Sequence, residues 1–274
     1  MELPLTAIIS DLHANRPALR MALADARERG ARRFWCLGDM VGYGAEPREC
    51  LDLVMAVCTP TARDPEPLAG SEPLLPGLAL RGNHEEALFD SAAGFNPIAR
   101  QAIEWTQDQL GAGGDRQRSM AYWDFLDGLR PEHLDEVAHL VHASPRDPLR
   151  EYILPRDVHD APKMRANFAA MQRDVCFLGH SHVPAVYYED GRFFRPTKTE
   201  GPYDLAFGPG ARCIVNVGSV GQPRDGDARL SYALFDGLTV TFVRLDYDHA
   251  AAAAAIRAVP SLPERLASRL FEGR

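Results

Sequence analysis

The sequence lacks any long apolar run: no hydrophobic stretch approaches the roughly 18 residues that a transmembrane helix requires. The N-terminal stretch MELPLTAIISDLH also lacks the basic region and the small-residue cleavage site of a secretory signal peptide. We therefore expect a cytoplasmic protein with no membrane partner, whose first β-strand lies within this stretch.

An excess of positive charge is also missing. The chain has 30 Lys and Arg against 38 Asp and Glu, which gives a formal net charge of −8. An extended nucleic-acid or anionic-membrane surface needs a basic face, so we expect neither kind of partner. A small phosphoester substrate, including a nucleotide, stays compatible with this charge if metal ions or a few arginines bind its phosphate.

Cysteines are few, odd in number and never spaced as Cys-x-x-Cys: they are Cys36, Cys50, Cys58, Cys176 and Cys213. Three of them lie in apolar runs typical of strands, where a free thiol packs as a small hydrophobic group. We therefore expect reduced structural thiols and neither a disulfide nor a thiolate metal site. Reduced thiols are typical of a cytoplasmic protein.

The order of predicted elements changes along the chain. The apolar runs at Thr6–Ser10 and Arg33–Leu37 flank a helix, which predicts two parallel strands, and Leu78–Arg81 predicts a third. Hairpins are predicted later, around Asp190-Gly191 and Asp236-Gly237. Parallel units followed by antiparallel hairpins indicate an α/β (α+β) fold with two packed sheets and helices outside.

The 274 residues show no internal repeat and no separating linker, so we expect a single domain over 1–274. Within it we expect a helical insertion around 90–131 and a C-terminal helical tail around 248–272. The segment 59–77 contains five prolines and is predicted to be a loop or an insertion.

Polar side chains follow the predicted strands at their C-terminal ends. They are Asp11 and His13, Asp39, Asn83 and His84, His142, and His180 with His182. In α/β sheets ligands bind outside the carboxyl ends of the strands, so we expect these residues to converge in one crevice. Each motif alone is weakly specific, but the ordered combination is not. Carboxylate, amide and imidazole donors suit manganese, iron, zinc or similar ions.

Taken in order, the motifs Asp-x-His, Gly-Asp-x-Val-Gly-Tyr-Gly, Gly-Asn-His-Glu, strand-His and Gly-His-Ser-His resemble those of the calcineurin-like metallophosphoesterases. The resemblance is closer to the small bacterial phosphoesterase branch, and the stretch NVGSVGQPRDGDARLSYALFD is also similar to that branch. It implies a four-layer αββα sandwich of two mixed β-sheets flanked by helices.

The resemblance also implies a site for two divalent transition-metal ions, manganese by preference, with iron, zinc, nickel or cobalt as alternatives. Asp11, His13 and His182 would bind the first ion, Asn83, His142 and His180 the second, and Asp39 would bridge them. His84 would not be a ligand and would instead protonate the leaving oxygen or steady the phosphoryl charge. A hydroxide shared by the two ions would attack the phosphoryl group in line with the leaving group.

Asn83, His84, Tyr43 and Arg224 are the candidate substrate-binding residues. Tyr43 lies among glycines beside Asp39, and Arg224 is a candidate phosphate clamp. Arg146, which follows His142 closely, is a weaker one.

The leading interpretation is hydrolysis of phosphodiester or small nucleotide phosphoester bonds. The alternatives are a phosphomonoesterase or protein phosphatase, a dinucleoside polyphosphate hydrolase, a non-catalytic protein-binding scaffold, and a metal-sequestering protein. The complete set of seven ligand positions and His84 favours an enzyme, while the oligomeric state stays open.

Overall fold

The computed structural model describes residues 3–59, 73–90, 92–112, 114–197, 201–205 and 212–274. The strands in these ranges are β1 (Thr6–Ile9), β2 (Arg33–Cys36), β3 (Leu78–Ala79), β4 (Glu132–Leu134), β5 (His139–Val141), β6 (Val175–Leu178), β7 (Ala185–Tyr188), β8 (Phe193–Phe194), β9 (Gly201–Asp204), β10 (Cys213–Asn216), β11 (Leu230–Phe235) and β12 (Thr239–Leu245). The α-helices are α1 (Arg16–Glu28), α2 (Pro47–Cys58), α3 (Asn83–Phe89), α4 (Pro97–Gly111), α5 (Arg116–Gly128), α6 (Ala161–Ala170), α7 (His249–Arg257) and α8 (Glu264–Ser268). Short 3-10 helices lie at Ala92–Gly94, Pro155–His159 and Arg269–Phe271.

The strands form two mixed sheets. The first has the order β3-β2-β1-β11-β12-β9 and the second the order β4-β5-β6-β10-β7-β8. The β1–β2, β2–β3, β5–β6 and β6–β10 pairs are parallel, and the remaining pairs are antiparallel. The parallel pairs lie side by side within each sheet, so their carboxyl ends open onto a common edge.

Strand β1 shows why the sheets are stacked. Its side chains alternate: Ala7 and Ile9 pack in the cluster formed with the helices, whereas Ile8 packs against the second sheet with Phe177 and Val215. Because successive strand residues point to opposite faces, an apolar residue at every position requires cover on both sides. A third cluster, which includes Phe168 of α6, covers the far face of the second sheet. The result is the four-layer αββα arrangement, as predicted.

Local sequence fixes the helix that follows β1. The Asn15 side chain accepts a hydrogen bond from the Ala18 N–H at 3.2 Å, and Pro17 occupies the first turn. Both features favour a helix start at this point. Asn15 also donates through Nδ2 to the Gly221 carbonyl oxygen at 2.9 Å, which ties the β1–α1 turn to the loop after β10.

Some predicted elements differ in extent. β3 ends at Ala79, because the next residues turn toward Arg130: Leu80 forms an isolated bridge with Arg130, and the Arg81 N–H donates to the Arg130 oxygen. Strands β4 and β9 were not predicted. The helices expected around 90–131 correspond to α4 and α5, and those around 248–272 to α7 and α8.

Of the proline-rich segment, 60–72 lies outside the described residues. All five cysteines are buried and free. Among the described residues, no helix combines the length and the apolar character that crossing a membrane requires.

Candidate metal centre

The polar residues predicted from the strand ends do lie together. Asp11 and His13 follow β1, Asp39 follows β2, His142 follows β5, and His180 and His182 follow β6, while Asn83 and His84 begin α3. Seven of these eight are buried, at 4% exposure or less: Asp11, His13, Asp39, His84, His142, His180 and His182. A group of charged and polar side chains this deeply buried needs a specific partner, since burial without one is costly.

The backbone is strained at this site in particular. Among the described residues other than glycine, positive φ angles occur only at Asp11, His13, Ala14, Asp39, Tyr43, His180 and His182. A left-handed conformation costs a residue with a Cβ roughly 1–2 kcal/mol, although Asp and His tolerate it better than most. Such strain persists where surrounding structure enforces it, and it concentrates at functional sites. Five of these seven residues, Asp11, His13, Asp39, His180 and His182, belong to the polar set that follows the strands.

Four side chains form the first ligand group: Asp11, His13, Asp39 and His182. One ligand atom from each lies within 4.8 Å of all the others. The Nε2 atoms of His13 and His182 are 3.2 Å apart, and His182 Nε2 is 3.1 Å from Asp11 Oδ1. This spacing leaves room for one ion between the donors.

The second group shares Asp39 with the first and adds His142 and His180. The His142 Nε2 atom is 3.1 Å from His180 Nδ1 and 3.5 Å from Asp39 Oδ1. Asn83 joins this group, because its Oδ1 atom lies 3.1 Å from His142 Nε2. The structure therefore brings together all seven residues predicted as ligands, and Asp39 is the one common to both groups.

Backbone carbonyls orient the four imidazoles of the two groups. His13 Nδ1 faces the Val41 oxygen, His142 Nδ1 that of Leu37, His182 Nδ1 that of Gln222, and His180 Nε2 that of Arg150, at 2.5–3.2 Å. A carbonyl only accepts, so each of these nitrogens must hold the proton. The other nitrogen of each ring then presents a lone pair to the centre, as in metal-bound histidines.

Burial keeps these rings neutral. It lowers the pKa of His13, His142 and His180 below the ordinary value of 6.5. For His182 burial, followed by the charge of Arg224, lowers the pKa to about 4. The pKa of Asp39 is raised, first by burial and then by the nearby carboxylates of Glu85 and Asp11. The imidazoles are therefore neutral, and the carboxyl groups of Asp11, Asp39 and Glu85 lie close together. A bound cation would balance the negative charge of these carboxylates.

Glu85 holds the turn that carries Asp39 through hydrogen bonds to its backbone, a role that was not predicted from the sequence. Its fully buried carboxylate accepts hydrogen bonds from the backbone N–H groups of Asp39, Met40 and Gly82 at 2.8–2.9 Å, and from Val41 at 3.2 Å. The Val41 carbonyl in turn orients His13. The Gly-Asn-His-Glu motif contained Glu85, but only the folded turn shows what it binds.

Two glycines allow the ligands to sit close to the backbone. A Cβ atom at Gly82 would lie 2.2 Å from Asp39 Oδ1, and one at Gly179 would lie 2.4 Å from Asp11 Oδ2. Both contacts are far shorter than real Cβ atoms make, so only glycine fits at these two positions.

His84 lies beside the two groups and belongs to neither. Its ring Nε2 atom is 4.0 Å from Asp39 Oδ2, and its backbone N–H donates to Asp39 Oδ1 at 2.9 Å. The ring packs against Tyr43 and edge-on against Phe95. Burial lowers its pKa well below 6.5, with the charge of Arg224 as the next cause.

A cleft of about 500 Å³ opens above these residues. Its lining includes Asp39, Asn83, His84, His180 and His182 from the site, and Tyr43 and Arg224 from the predicted substrate-binding residues. Arg224 donates to Gln222 Oε1 at 2.7 Å, and its guanidinium lies 5.9 Å from the centre of the Tyr43 ring. The next residue, Asp225, forms a buried ion pair with Arg244, which anchors this loop to β12.

Arg146, the weaker substrate-binding candidate, does not line the cleft, whereas two residues that were not predicted do. Arg146 donates through Nε to Glu151 at 2.9 Å and is not among the residues that line the cleft. Tyr152 and Phe95 do line it, although no motif pointed to them. An aromatic residue in a loop has no distinctive spacing, so no sequence signal would have identified either one.

The sequence model of the "Calcineurin-like phosphoesterase superfamily domain" matches residues 5–239. The chain belongs to this superfamily. It is 34% identical over 274 residues to the uncharacterized protein MJ0912 of Methanocaldococcus jannaschii, with 98% of each chain covered. It is 36% identical to a metallophosphoesterase of Sphaerobacter thermophilus, whose crystal structure matches with a TM-score of 0.78 over 99% of this chain and 100% of that one.

A second solved structure shows the shared fold alone. The hypothetical protein PH1004 of Pyrococcus horikoshii OT3 is 19% identical and matches with a TM-score of 0.71 over 99% of both chains. Family membership assigns this protein to the metal-dependent phosphoester hydrolases, and the two ligand groups are where such a protein would hold metal.

Proposed function

We propose that the protein is a dinuclear phosphoesterase that hydrolyses phosphodiester or small nucleotide phosphoester bonds. The observation behind this proposal is the pairing of imidazole lone pairs. His13 and His182 face each other through Nε2 at 3.2 Å, and His142 Nε2 faces His180 Nδ1 at 3.1 Å. Because the opposite nitrogen of each ring bonds to a carbonyl, neither pair can form a hydrogen bond between neutral rings. A cation shared by each pair would turn this repulsion into attraction.

The ligands divide between the ions by position. Asp11, His13 and His182 would hold one ion, Asn83, His142 and His180 the other, and Asp39 both. The Asp39 carboxylate has the geometry for a bridge, since Oδ2 lies 3.7 Å from His13 Nε2 and Oδ1 lies 3.5 Å from His142 Nε2. Imidazole and carboxylate donors suit manganese, which we propose as the preferred metal, and also iron, zinc, nickel and cobalt.

Two bound ions would supply Lewis acidity and an activated water for in-line displacement at phosphorus. The chain's own residues would do the rest. Arg224, fixed by Gln222, would bind a phosphoryl oxygen that projects into the cleft, and Asn83 would orient the phosphoryl group beside it. His84, whose Nε2 faces Asp39, would take up a second proton when the anionic phosphoester enters the cleft; as the imidazolium it would steady the phosphoryl charge or pass the Nε2 proton to the leaving oxygen, which returns the ring to its neutral form.

A non-catalytic scaffold would not need this arrangement. Protein binding requires neither lone pairs directed at a common point nor a buried histidine held outside the ligand groups. We further propose a cytoplasmic location, in keeping with five buried thiols that are all free.

Hydrolysis of two chromogenic esters tests the proposal. The protein is stripped with chelator, reloaded with manganese, and assayed on bis-p-nitrophenyl phosphate and p-nitrophenyl phosphate. We expect metal to restore turnover of the diester. Turnover of the monoester alone would support a metal-dependent hydrolase but would contradict the diester preference and indicate a phosphatase. No turnover of either ester by protein with two bound ions would contradict the proposal.

A further inference from the structure

We infer that Tyr152 is a stacking platform for a flat aromatic ring attached to the substrate's phosphoryl group. This inference rests on the proposed function and adds a specificity-determining residue to it. The chemical class is a phosphoester with an aromatic ring close to the phosphorus, either the base of a nucleotide or the ring of an aryl ester.

Tyr152 lies at the cleft, directly against one of the candidate ligands. Its ring stacks on His180 with centres 4.0 Å apart and an interplanar angle of 26°. The residue is still 45% exposed, and it lines the cleft over the two ligand groups. A large aromatic residue left half-exposed beside a buried polar site offers a surface on which a substrate ring can stack.

The backbone around Tyr152 is held in place by hydrogen bonds within the protein itself. Its backbone oxygen accepts a hydrogen bond from Lys163 Nζ at 2.7 Å. The preceding residue, Glu151, accepts from Ser144 Oγ at 2.7 Å and Asn167 Nδ2 at 3.0 Å, and it pairs with Arg146. A ring on a fixed backbone loses little entropy on binding, which increases the affinity gained from stacking.

A second aromatic residue borders the same cleft. Phe95 packs edge-on against His84, with ring centres 5.1 Å apart at 85°. Phe95 and Tyr152 therefore each contact a different histidine of the site, and both line the space where the substrate would extend. Arg150 and Asn96 also line the cleft and offer donors and acceptors to the edge of a ring.

A structural role for Tyr152 is the competing explanation, since its ring also shields His180 from solvent. Tyr152→Leu separates the two roles, because leucine still covers His180 with an apolar side chain but has no flat face. Tyr152→Phe retains both the cover over His180 and the flat aromatic face. Phe193→Ala is the matched control: Phe193 is an aromatic residue of β8, 36% exposed, that is not among the residues lining the cleft.

The experiment measures binding and needs no turnover. Manganese-loaded protein is titrated in a calorimeter with phenylphosphonate and methylphosphonate, which differ only in the ring and have no ester bond. A second pair, adenosine 5′-phosphorothioate and thiophosphate, differs only in the nucleoside. Base–aromatic stacking corresponds to about 5- to 150-fold in affinity, so we expect the ring to improve binding roughly tenfold in at least one pair.

Tyr152→Ala and Tyr152→Leu should remove most of this gain, while Tyr152→Phe and Phe193→Ala should keep it. A gain confined to the phenyl pair would assign an aryl ester, and one confined to the nucleoside pair would assign a nucleotide. The inference is overturned if no ring improves binding, if the gain survives in Tyr152→Ala, or if that variant weakens methylphosphonate and phenylphosphonate equally. Ester hydrolysis is scored separately, so stacking without hydrolysis would contradict only the proposed function, and hydrolysis without stacking only this inference.

Discussion

The backbone N–H of Asp39 donates a 2.8 Å hydrogen bond to the buried Glu85 carboxylate. This bond joins the turn after β2, which presents Asp39, the residue common to both ligand groups, to the first turn of α3, which presents Asn83 and His84. Both ligand groups are therefore positioned in part by a carboxylate that belongs to neither group.

Glu85→Gln tests this dependence. The amide would place two hydrogens against backbone N–H groups that now donate to the carboxylate, so at least one donor would be left unsatisfied. We expect a loss of about 2–4 kcal/mol in the free energy of unfolding and a roughly 10- to 100-fold loss in metal affinity. Urea denaturation in chelator measures the first quantity and manganese titration the second.

The adjacent Glu86→Gln is the control for stability. Glu86 pairs with Arg81 at 3.0 Å in a partly exposed salt bridge, which is worth about 1 kcal/mol or less. Equal destabilisation by the two variants would show that the buried hydrogen bonds of Glu85 have no special importance.

His84→Ala should leave both ions bound and slow hydrolysis of esters with poor leaving groups by about 10²–10⁴-fold, because such groups need a proton as they depart. Esters with good leaving groups such as p-nitrophenolate should be affected less. Metal analysis and kcat for an alkyl and a p-nitrophenyl ester test this, with the exposed His159→Ala as the control. An unchanged rate on the alkyl ester would remove His84 from the mechanism.

Gly42→Ala should disturb His84 without touching a ligand. Gly42 has φ +84°, and a Cβ there would lie 2.1 Å from His84 Nδ1, so the imidazole must move. We expect slower turnover with metal content intact. Gly30→Ala isolates the backbone effect, because Gly30 has φ +93° and no atom within 4 Å of its Cβ position. Both variants should lose about 1–2 kcal/mol to backbone strain, but only Gly42→Ala should lose activity.

Acid should weaken the segment that carries Tyr152. Burial alone would raise the pKa of Glu151, but the hydrogen bonds from Arg146, Ser144 and Asn167 outweigh burial and hold that pKa at about 2, below the ordinary 4.5. The ionised carboxylate therefore stabilises the fold above pH 4.5, and this contribution disappears as the pH falls from 4.5 toward 2.

The difference in unfolding free energy between wild type and Glu151→Gln should consequently shrink between pH 6 and pH 3 in urea denaturation. The exposed Glu136→Gln should show a difference near zero throughout. A Glu151 difference that does not change with pH would mean that its carboxylate is not held ionised by these donors.

The convergence of the candidate ligands could be predicted from the sequence because they follow apolar runs directly. In β1 and β6 a fully buried strand ends in a motif with two donors, so the rule that ligands bind at the carboxyl ends of strands placed Asp11, His13, His180 and His182 in one crevice. The stacking of two sheets could also be predicted, because parallel strand-helix-strand units are followed along the chain by antiparallel hairpins.

Other elements depend on contacts that no local pattern records. β4 consists of Glu132, His133 and Leu134, all exposed, and pairing with β5 alone makes them a strand. β9 contains a glycine and a proline, which disfavour strands, and it is an edge strand paired to β12. Glu85 and Tyr152 look like ordinary residues until the fold places one under the Asp39 turn and the other on His180.

Counting bound metal in the wild type and in His142→Ala tests the central claim most directly. The lone-pair geometry predicts two manganese ions per chain in the wild type. It predicts one in His142→Ala, because the group of Asp11, His13, Asp39 and His182 stays intact. Elemental analysis after manganese loading and desalting gives both numbers. One ion in the wild type, or two in the variant, would contradict the assignment of a separate cation to each pair of histidines.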